Sequence, residues 1–146
     1  MRRNAAILAR SAGFTLIEIL VVVFIIGLLA TIVSVNVIGQ TDTARITKAK
    51  ADLKELEQGL HLYKLDNGIY PTTDQGLAAL VQRPSSGPQP RKYNAEGYVQ
   101  KISDDPWGNH YVYLSDGQQF VLKCLGADGE QGGTDKNGDI DSRDLG

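Results

Sequence analysis

The hydrophobic residues divide the chain into an apolar stretch near its start and a mixed remainder. From Phe14 to Val33 the only ionisable side chain is that of Glu18. A helix rises about 1.5 Å per residue, so this stretch is about 30 Å long as a helix, which matches the hydrocarbon thickness of a bilayer. The pattern predicts a membrane-spanning helix, which we place at residues 14–38.

A second helical pattern follows without a strong break. Apolar residues recur there at spacings of four, three, four and three, which places them on one face of a helix: Ala49, Leu53, Leu56, Leu60 and Tyr63. The turn signal Asp66–Gly68 ends this pattern. We therefore predict one continuous helix from Phe14 to about Leu65, with its second half packed on a small domain over residues 39–146.

The remainder of the chain predicts a small antiparallel sheet. Thr72 and Gln75 can form a capping box for a short helix that ends near Gln82. Three stretches rich in aromatic and branched residues predict strands, at residues 98–102, 111–114 and 119–125. The last strand would turn three side chains towards the long helix, those of Phe120, Leu122 and Cys124. The predicted fold class is α+β, a long N-terminal helix packed on a small antiparallel β-sheet.

Charge indicates an orientation and excludes one class of partner. Three arginines and no acid precede the apolar stretch, Arg2, Arg3 and Arg10, which by the positive-inside bias holds the N-terminus in the cytoplasm. The whole chain has 15 basic and 17 acidic residues, so it offers no basic surface for nucleic acid. Its only cysteine, Cys124, rules out an internal disulfide and is compatible with either redox compartment.

The start of the chain differs from a cleaved secretory signal. Such signals have an apolar core of about 7 to 15 residues followed by small residues at the cleavage site. Here the small residues 11–13 precede the apolar core. Cleavage after Gly13 would remove residues 1–13 as a leader and leave the apolar helix on the mature protein, which would begin with Phe14.

Glu18 is the exceptional residue of the apolar stretch. An acid deep in a bilayer costs roughly 2.5 to 3.5 kcal/mol, so such a residue usually has a partner or a function. Three interpretations stay open. In the first, the carboxylate reaches the membrane interface. In the second, it pairs with the α-amino group of its own Phe14, one helical turn away, and in the third with that of another subunit. The last would fix the axial stagger between neighbouring helices.

The C-terminal segment is acidic and rich in glycine. From Leu125 onward six acids face two bases. Ca²⁺ takes about six to eight oxygen ligands, and a flexible acidic segment can supply them. Asp135, Asn137, Asp139 and Asp141 match the first half of an EF-hand loop, but isoleucine at position 140 replaces the glycine which that loop requires. A solvated acidic tail remains the alternative.

Residues 13–18, Gly-Phe-Thr-Leu-Ile-Glu, followed by an apolar helix, resemble the class III signal of type IV pilins and pseudopilins. In that superfamily a prepilin peptidase cuts after the glycine and N-methylates the new first residue. The resemblance implies cleavage between Gly13 and Phe14 and methylation of Phe14. It also implies a role for Glu18 in recruiting subunits to a growing filament.

Three further motifs resemble the major pseudopilin family of type II secretion across most of the chain: residues 63–77, 105–108 and 125–129. In that family a Ca²⁺ ion pins the C-terminal loop. The resemblance implies four calcium ligands, the Leu125 carbonyl, the Asp128 carboxylate, a carbonyl near Glu130 and the Asp139 carboxylate. Asp135 and Asn137 are weaker candidates, because the spacing before Asp139 varies within the family.

The same resemblance implies a place in the cell and a set of partners. The protein is expected in the inner membrane of a Gram-negative bacterium, crossing it once, with its C-terminal domain in the periplasm. There it would polymerise with copies of itself and with minor pseudopilins into a periplasmic pseudopilus. A secretion ATPase and an inner-membrane platform would drive assembly, and the filament would move folded proteins towards an outer-membrane secretin.

Two other classes of function are alternatives. A type IV pilus pilin is the first alternative, but many pilins close their C-terminal loop with a disulfide that one cysteine cannot form. A membrane-tethered enzyme is the second. Its candidate groups are few, His61, His110 and Cys124, and the sequence contains no nucleophile beside a base, no phosphate-binding loop and no His-rich metal motif. We therefore predict a structural subunit without catalytic residues.

Overall fold

A computed structural model of the chain describes residues 13–145, apart from the side chains of residues 32–39. The chain divides into two compact units, the first ending at Gly39 and the second beginning at Gln40. Within the described residues, no helix is both long enough and apolar enough to cross a membrane. Residues 1–12 of the predicted leader lie outside the description, as do the side chains at the end of the predicted spanning segment.

The long helix predicted from the sequence is present. Helix α1 covers Leu16–Asn67, 52 residues, and ends within the predicted turn Asp66–Gly68. The glycine at position 68 adopts a φ of 82° and donates its N–H to the Lys64 carbonyl at 2.7 Å. This left-handed closure is the usual way for a helix to end at glycine.

The predicted apolar face of α1 forms one side of the core of the second unit. Its five residues are at most 5% exposed: Ala49, Leu53, Leu56, Leu60 and Tyr63. They belong to a cluster with Leu80, Val99 and Leu122. Gly59 allows the Val99 side chain to pack closely against α1, because a β-carbon at position 59 would lie 2.7 Å from that side chain. The periodicity argument is therefore confirmed residue by residue.

The segment after α1 forms a shorter helix than predicted. Thr72 and Gln75 make both bonds of the predicted capping box, with the Thr72 N–H donated to the Gln75 Oε1 at 3.1 Å. The helix that follows is a single 3₁₀ turn, Leu77–Leu80. The Gln75 side-chain amide also donates to the carbonyls of Ser86 and Pro88, at 2.9 and 2.8 Å. This glutamine therefore holds the proline-rich loop against the helix.

Three short strands form an antiparallel sheet in the order β1-β2-β3: Val112–Ser115, Phe120–Cys124 and Ile140–Asp141. The turn between β1 and β2 is held by the Asp116 carboxylate, which accepts two backbone N–H groups at 2.8 Å. Two predicted strands and their connecting turn are confirmed. Two further 3₁₀ turns, Asp135–Asn137 and Ser142–Leu145, flank β3 in the C-terminal segment.

The predicted strand at residues 98–102 is wrong, and β3 was missed. The N–H groups of Tyr98 and Val99 both point to the Leu80 carbonyl, at 2.6 and 3.3 Å, so they cannot form a strand ladder. Their aromatic and branched side chains were the signal for a strand, but they pack on α1 instead. The third strand is the two-residue β3, which is too short to show an alternating pattern.

The buried hydroxyl of Tyr113 is expected to make the folded protein less stable at alkaline pH. This hydroxyl donates to the Pro71 carbonyl at 2.7 Å, and burial raises the pKa of Tyr113 to about 12. The unfolded chain loses this proton near pH 10, whereas the folded chain keeps it up to about pH 12. The free energy of unfolding is therefore expected to fall across this window, by about 2.7 kcal/mol for two pKa units.

Denaturant unfolding of the wild type and of Tyr113→Phe between pH 8 and 12 measures this effect. The variant should be about 1 kcal/mol less stable at pH 8, because it lacks the hydrogen bond, but its stability should fall less steeply above pH 10. Parallel curves for the two proteins would show that Tyr113 does not titrate in this window.

Candidate functional sites

The N-terminal site begins with an exposed segment and a capped helix. Gly13 precedes α1 in an irregular stretch, and Phe14 is 80% exposed. The Thr15 side-chain oxygen accepts the N–H of Glu18 at 3.2 Å. Since α1 begins at residue 16, Thr15 is its N-cap and Glu18 lies three positions later. The predicted cleavage site therefore lies immediately before a well-defined helix start.

Thr15 is a residue that the sequence reasoning missed. A threonine followed three residues later by a glutamate is the signature of a capping box, and this signal is present in the sequence. The carboxylate of Glu18 also lies in the first turn of α1, where the helix dipole favours a negative charge by about 0.3 to 1 kcal/mol. Glu18 therefore has a local stabilising partner besides those considered from the sequence.

The N-terminal part of α1, as far as Leu29, exposes apolar side chains on all sides. The large hydrophobic residues between Phe14 and Leu29 are between 45% and 87% exposed. A helix that is apolar all round is normally buried in a membrane or among other helices. Such a surface is stable in lipid or against other helices.

The C-terminal loop over residues 125–139 is closed by its own backbone. The Ala127 N–H donates to the Lys136 carbonyl at 2.8 Å. Gly132 and Asp139 exchange two bonds, from the Asp139 N–H to the Gly132 carbonyl and from the Gly132 N–H to the Asp139 carboxylate. The segment predicted either as a metal loop or as a solvated tail is thus folded back on itself.

The predicted ligands occupy different parts of this loop. Asp128 is exposed, and its carboxylate accepts the Glu130 N–H at 3.1 Å, so these two residues share one turn. Leu125 and Asp139 are half-buried at the two ends of the loop. Asp139 uses one carboxylate oxygen for the Gly132 N–H, at 3.0 Å.

The two weaker candidates have backbone roles. Asp135 has a φ of 55°, and its carbonyl accepts the Gly138 N–H at 3.2 Å. The carbonyl of Asn137 lies against two glycines, since β-carbons built at Gly126 and Gly133 would both clash with its oxygen. Asp141, which completed the EF-hand-like pattern, instead pairs with Arg143 at 2.6 Å, and this bond lowers the pKa of Asp141 to about 2.

The donor set of the loop fits calcium in its chemistry. The candidate ligands are all oxygens, two carboxylates and two carbonyls, which is what a hard cation such as Ca²⁺ prefers. Among the described residues, no group of three or more His, Cys, Asp or Glu side chains is arranged to hold a metal. A set with only two carboxylates is smaller than such a group, and it would depend on carbonyl oxygens for its other ligands. The glycine at position 126 allows the close backbone approach within the loop.

A second set of polar residues beside the loop was also missed from the sequence. The buried Asp105 carboxylate accepts the N–H groups of Trp107 and Asn109, both at 2.9 Å, and the Cys124 thiol at 3.2 Å. The Asn109 side-chain amide donates to the Gly126 carbonyl at 3.1 Å. The Asp105–Cys124 and Asn109–Gly126 contacts span 19 and 17 residues, so spacing in the sequence gives no signal for them.

Burial makes Cys124 a poor nucleophile. The side chain is fully buried, and this burial raises the pKa of the Cys124 thiol to about 12. A cysteine reacts as its thiolate, which this site disfavours at neutral pH. His61 and His110 are likewise engaged, in contacts with Tyr70 and with Asp104. The candidate groups for a membrane-tethered enzyme therefore have structural partners.

Two family models match the chain. The model described as "Type II secretion system (T2SS), protein G" matches residues 36–143, and the model described as "Prokaryotic N-terminal methylation motif" matches residues 8–34. The second match contains the predicted cleavage site and most of the apolar helix.

Curated relatives and a solved structure agree with these models. The chain is 50% identical to "Type II secretion system core protein G" of Pseudomonas aeruginosa, over 92% of this chain and 96% of that protein. It is 48% identical to the protein of the same name from Vibrio cholerae, over 90% of each chain. A crystal structure of the major pseudopilin from the type 2 secretion system of enterohaemorrhagic Escherichia coli superposes with a TM-score of 0.65. The sequence of that structure is 41% identical to this chain, and the match covers 74% of this chain and 90% of that one. This chain therefore belongs to the type II secretion system protein G family.

Proposed function

We propose that this protein is the major structural subunit of a type II secretion pseudopilus. The observation that carries the proposal is the apolar surface at the start of α1, from Leu16 to Leu29, which is exposed on every side of the helix. Such a surface is stable either in lipid or against equivalent helices of other copies. A filament subunit uses both environments, first as an anchored protomer and then inside the polymer.

The N-terminal site provides the step that precedes polymerisation. A prepilin peptidase removes residues 1–13, methylates Phe14, and leaves the apolar helix as an inner-membrane anchor. The matched methylation motif at residues 8–34 supports this step. The proposed anchor covers residues 14–38. Arg2, Arg3 and Arg10 keep the leader in the cytoplasm, and the second unit lies in the periplasm.

The assembled filament works with other components. A secretion ATPase and an inner-membrane platform add subunits, minor pseudopilins join the same filament, and its growth moves folded proteins towards a secretin. The family membership supports this set of partners. Catalysis is not part of the proposed role.

Calcium is proposed as a structural ion of the C-terminal loop. Its proposed ligands are the Leu125 and Glu130 carbonyls and the Asp128 and Asp139 carboxylates. Asp135 and Asn137 are weaker candidates. The ion would neutralise the like charges of this acidic segment, which otherwise repel one another. The oxygen-only donor set and the closed backbone support this assignment.

Cleavage can be tested with a matched pair of glycines. The full chain is produced with and without a prepilin peptidase, and the intact mass is measured. We expect the peptidase to remove residues 1–13 and add one methyl group. Gly13→Val should block this change, whereas Gly27→Val should not. A β-carbon built at either glycine meets no atom of a more distant residue within 4 Å, so the two positions are matched in local space.

The outcome also decides between the two filament classes. Processed protein that forms fibres confined to the periplasm at native expression levels supports the pseudopilus. Long surface fibres at native levels would favour a type IV pilus instead. An unprocessed wild-type chain in the presence of the peptidase would contradict the proposal.

A further inference from the structure

We infer that Asn109 is a positioning residue for the calcium loop, and that its side-chain amide orients the backbone between Leu125 and Asp128. The inference rests on the proposed calcium site. It assigns a role to a residue outside the loop, in the turn that precedes β1.

The contact that carries the inference is made to a single peptide group. Asn109 donates its Nδ2 to the Gly126 carbonyl at 3.1 Å. The N–H of the same peptide unit, that of Ala127, donates to the Lys136 carbonyl at 2.8 Å. A peptide group is planar and rigid, so bonds at both its carbonyl and its N–H fix its orientation. Leu125 directly precedes this peptide, and Asp128 directly follows it.

The side-chain amide of Asn109 also packs closely against Gly129, three residues after Gly126. A β-carbon built at Gly129 would lie 3.1 Å from the Asn109 Oδ1. Gly126 and Gly129 both adopt positive φ, 71° and 68°, which bends the chain around this side chain. Because only the NH₂ group can donate to a carbonyl, the bond to Gly126 also determines which way the amide faces.

The position of Asn109 is itself fixed from the protein core. Asp105 is 5% exposed, and its carboxylate accepts the Asn109 N–H at 2.9 Å and the Cys124 thiol at 3.2 Å. Cys124 ends β2 and is the residue before Leu125. Leu125 therefore lies between two anchored residues. Cys124 before it bonds to Asp105, and Gly126 after it bonds to Asn109.

This arrangement predicts an effect on metal affinity and not only on stability. A residue that orients metal ligands without touching the metal typically contributes tenfold to a hundredfold to metal affinity. A residue that only stabilises the fold lowers the melting temperature and leaves the affinity of the folded protein unchanged.

The test compares Asn109 with Gln75. Both side chains donate to backbone carbonyls of a neighbouring loop, but the Gln75 partners are Ser86 and Pro88, away from the C-terminal loop. The full chain in detergent micelles is stripped with a chelator, and calcium is titrated by calorimetry. Asn109→Ala, the shape-matched Asn109→Leu and Gln75→Ala are compared with the wild type, and melting in chelator is recorded for each.

We expect both Asn109 variants to bind calcium at least tenfold more weakly than the wild type. Gln75→Ala should melt earlier in chelator but bind calcium with wild-type affinity. Asn109→Leu keeps the approximate shape of the side chain, so it serves where truncation unfolds the protein. Wild-type affinity in a folded Asn109 variant would overturn this inference alone, as would an equal loss in Gln75→Ala. A wild type that binds no calcium would overturn the proposed calcium site and this inference together.

Discussion

Replacing Glu18 by alanine is expected to leave cleavage after Gly13 intact but to reduce the amount of filament at least tenfold. The proposed pair joins the Glu18 carboxylate of one subunit to the α-amino group of Phe14 on another. In the alanine variant the α-ammonium of Phe14 would lose its partner, and an unpaired charge in a membrane-like environment costs roughly 2.5 to 3.5 kcal/mol. About 3 kcal/mol per added subunit corresponds to roughly a hundredfold in affinity.

The structure adds a competing explanation for the same residue. Thr15 caps α1 by accepting the Glu18 N–H at 3.2 Å, and a glutamate at this position favours the helix start. Glutamine supports a capping box as well as glutamate does, but it has no charge. Glu18→Gln therefore separates the two explanations, because it keeps the cap and removes the ion pair.

The measurement is the ratio of fibre-associated to membrane-associated protein in cells, together with the intact mass of the processed chain. Both Glu18 variants should be processed and both should be poor in fibres. Thr31→Ala is the control, since the Thr31 hydroxyl bonds to the Leu28 carbonyl of its own helix at 2.7 Å and no role in assembly is proposed for it. Normal fibres from Glu18→Gln would contradict the ion pair and favour a capping role.

The parts of the fold that were predicted correctly depend on local, repeated signals. The stripe from Ala49 to Tyr63 repeats over four helical turns, and every one of its members is buried. The turn around Gly117 has a strong Asp-Gly signature, and the strands on its two sides pair as expected. Periodicity and turn chemistry act over a few residues, so a sequence shows them directly.

The parts that were missed depend on long-range contacts. Residues 98–102 have strand-like composition, but both N–H groups at the start of this segment meet one carbonyl, that of Leu80. The partners Asn109 and Gly126 are 17 residues apart, and nothing in their spacing joins them. For the C-terminal loop, the resemblance supplied candidate ligands, whereas the residues that would hold those ligands in place emerged only from the three-dimensional contacts.

Removing calcium is expected to lower the melting temperature of the second unit by about 10 to 20 °C. A ligand at one hundred times its Kd stabilises the folded state by about 2.7 kcal/mol. For a unit of about 100 residues, 1 kcal/mol corresponds to a shift of about 4 to 8 °C. Trp107 is the only tryptophan and lies in the turn held by Asp105, so its fluorescence reports melting of this unit in the full chain.

The acidic residues of the loop provide their own controls for this prediction. Asp128→Ala and Asp139→Ala each remove a proposed carboxylate ligand, and we expect the chelator to shift their melting little or not at all. Glu130→Ala removes an exposed carboxylate of the same loop but keeps the backbone carbonyl, which is the proposed ligand. Its shift should therefore equal that of the wild type.

If all three variants lose the shift equally, calcium is responding to the overall charge of the segment. If the wild type shows no shift in chelator, the segment folds without the ion and is closed by its hydrogen bonds, among them those of Ala127, Gly132 and Asp139.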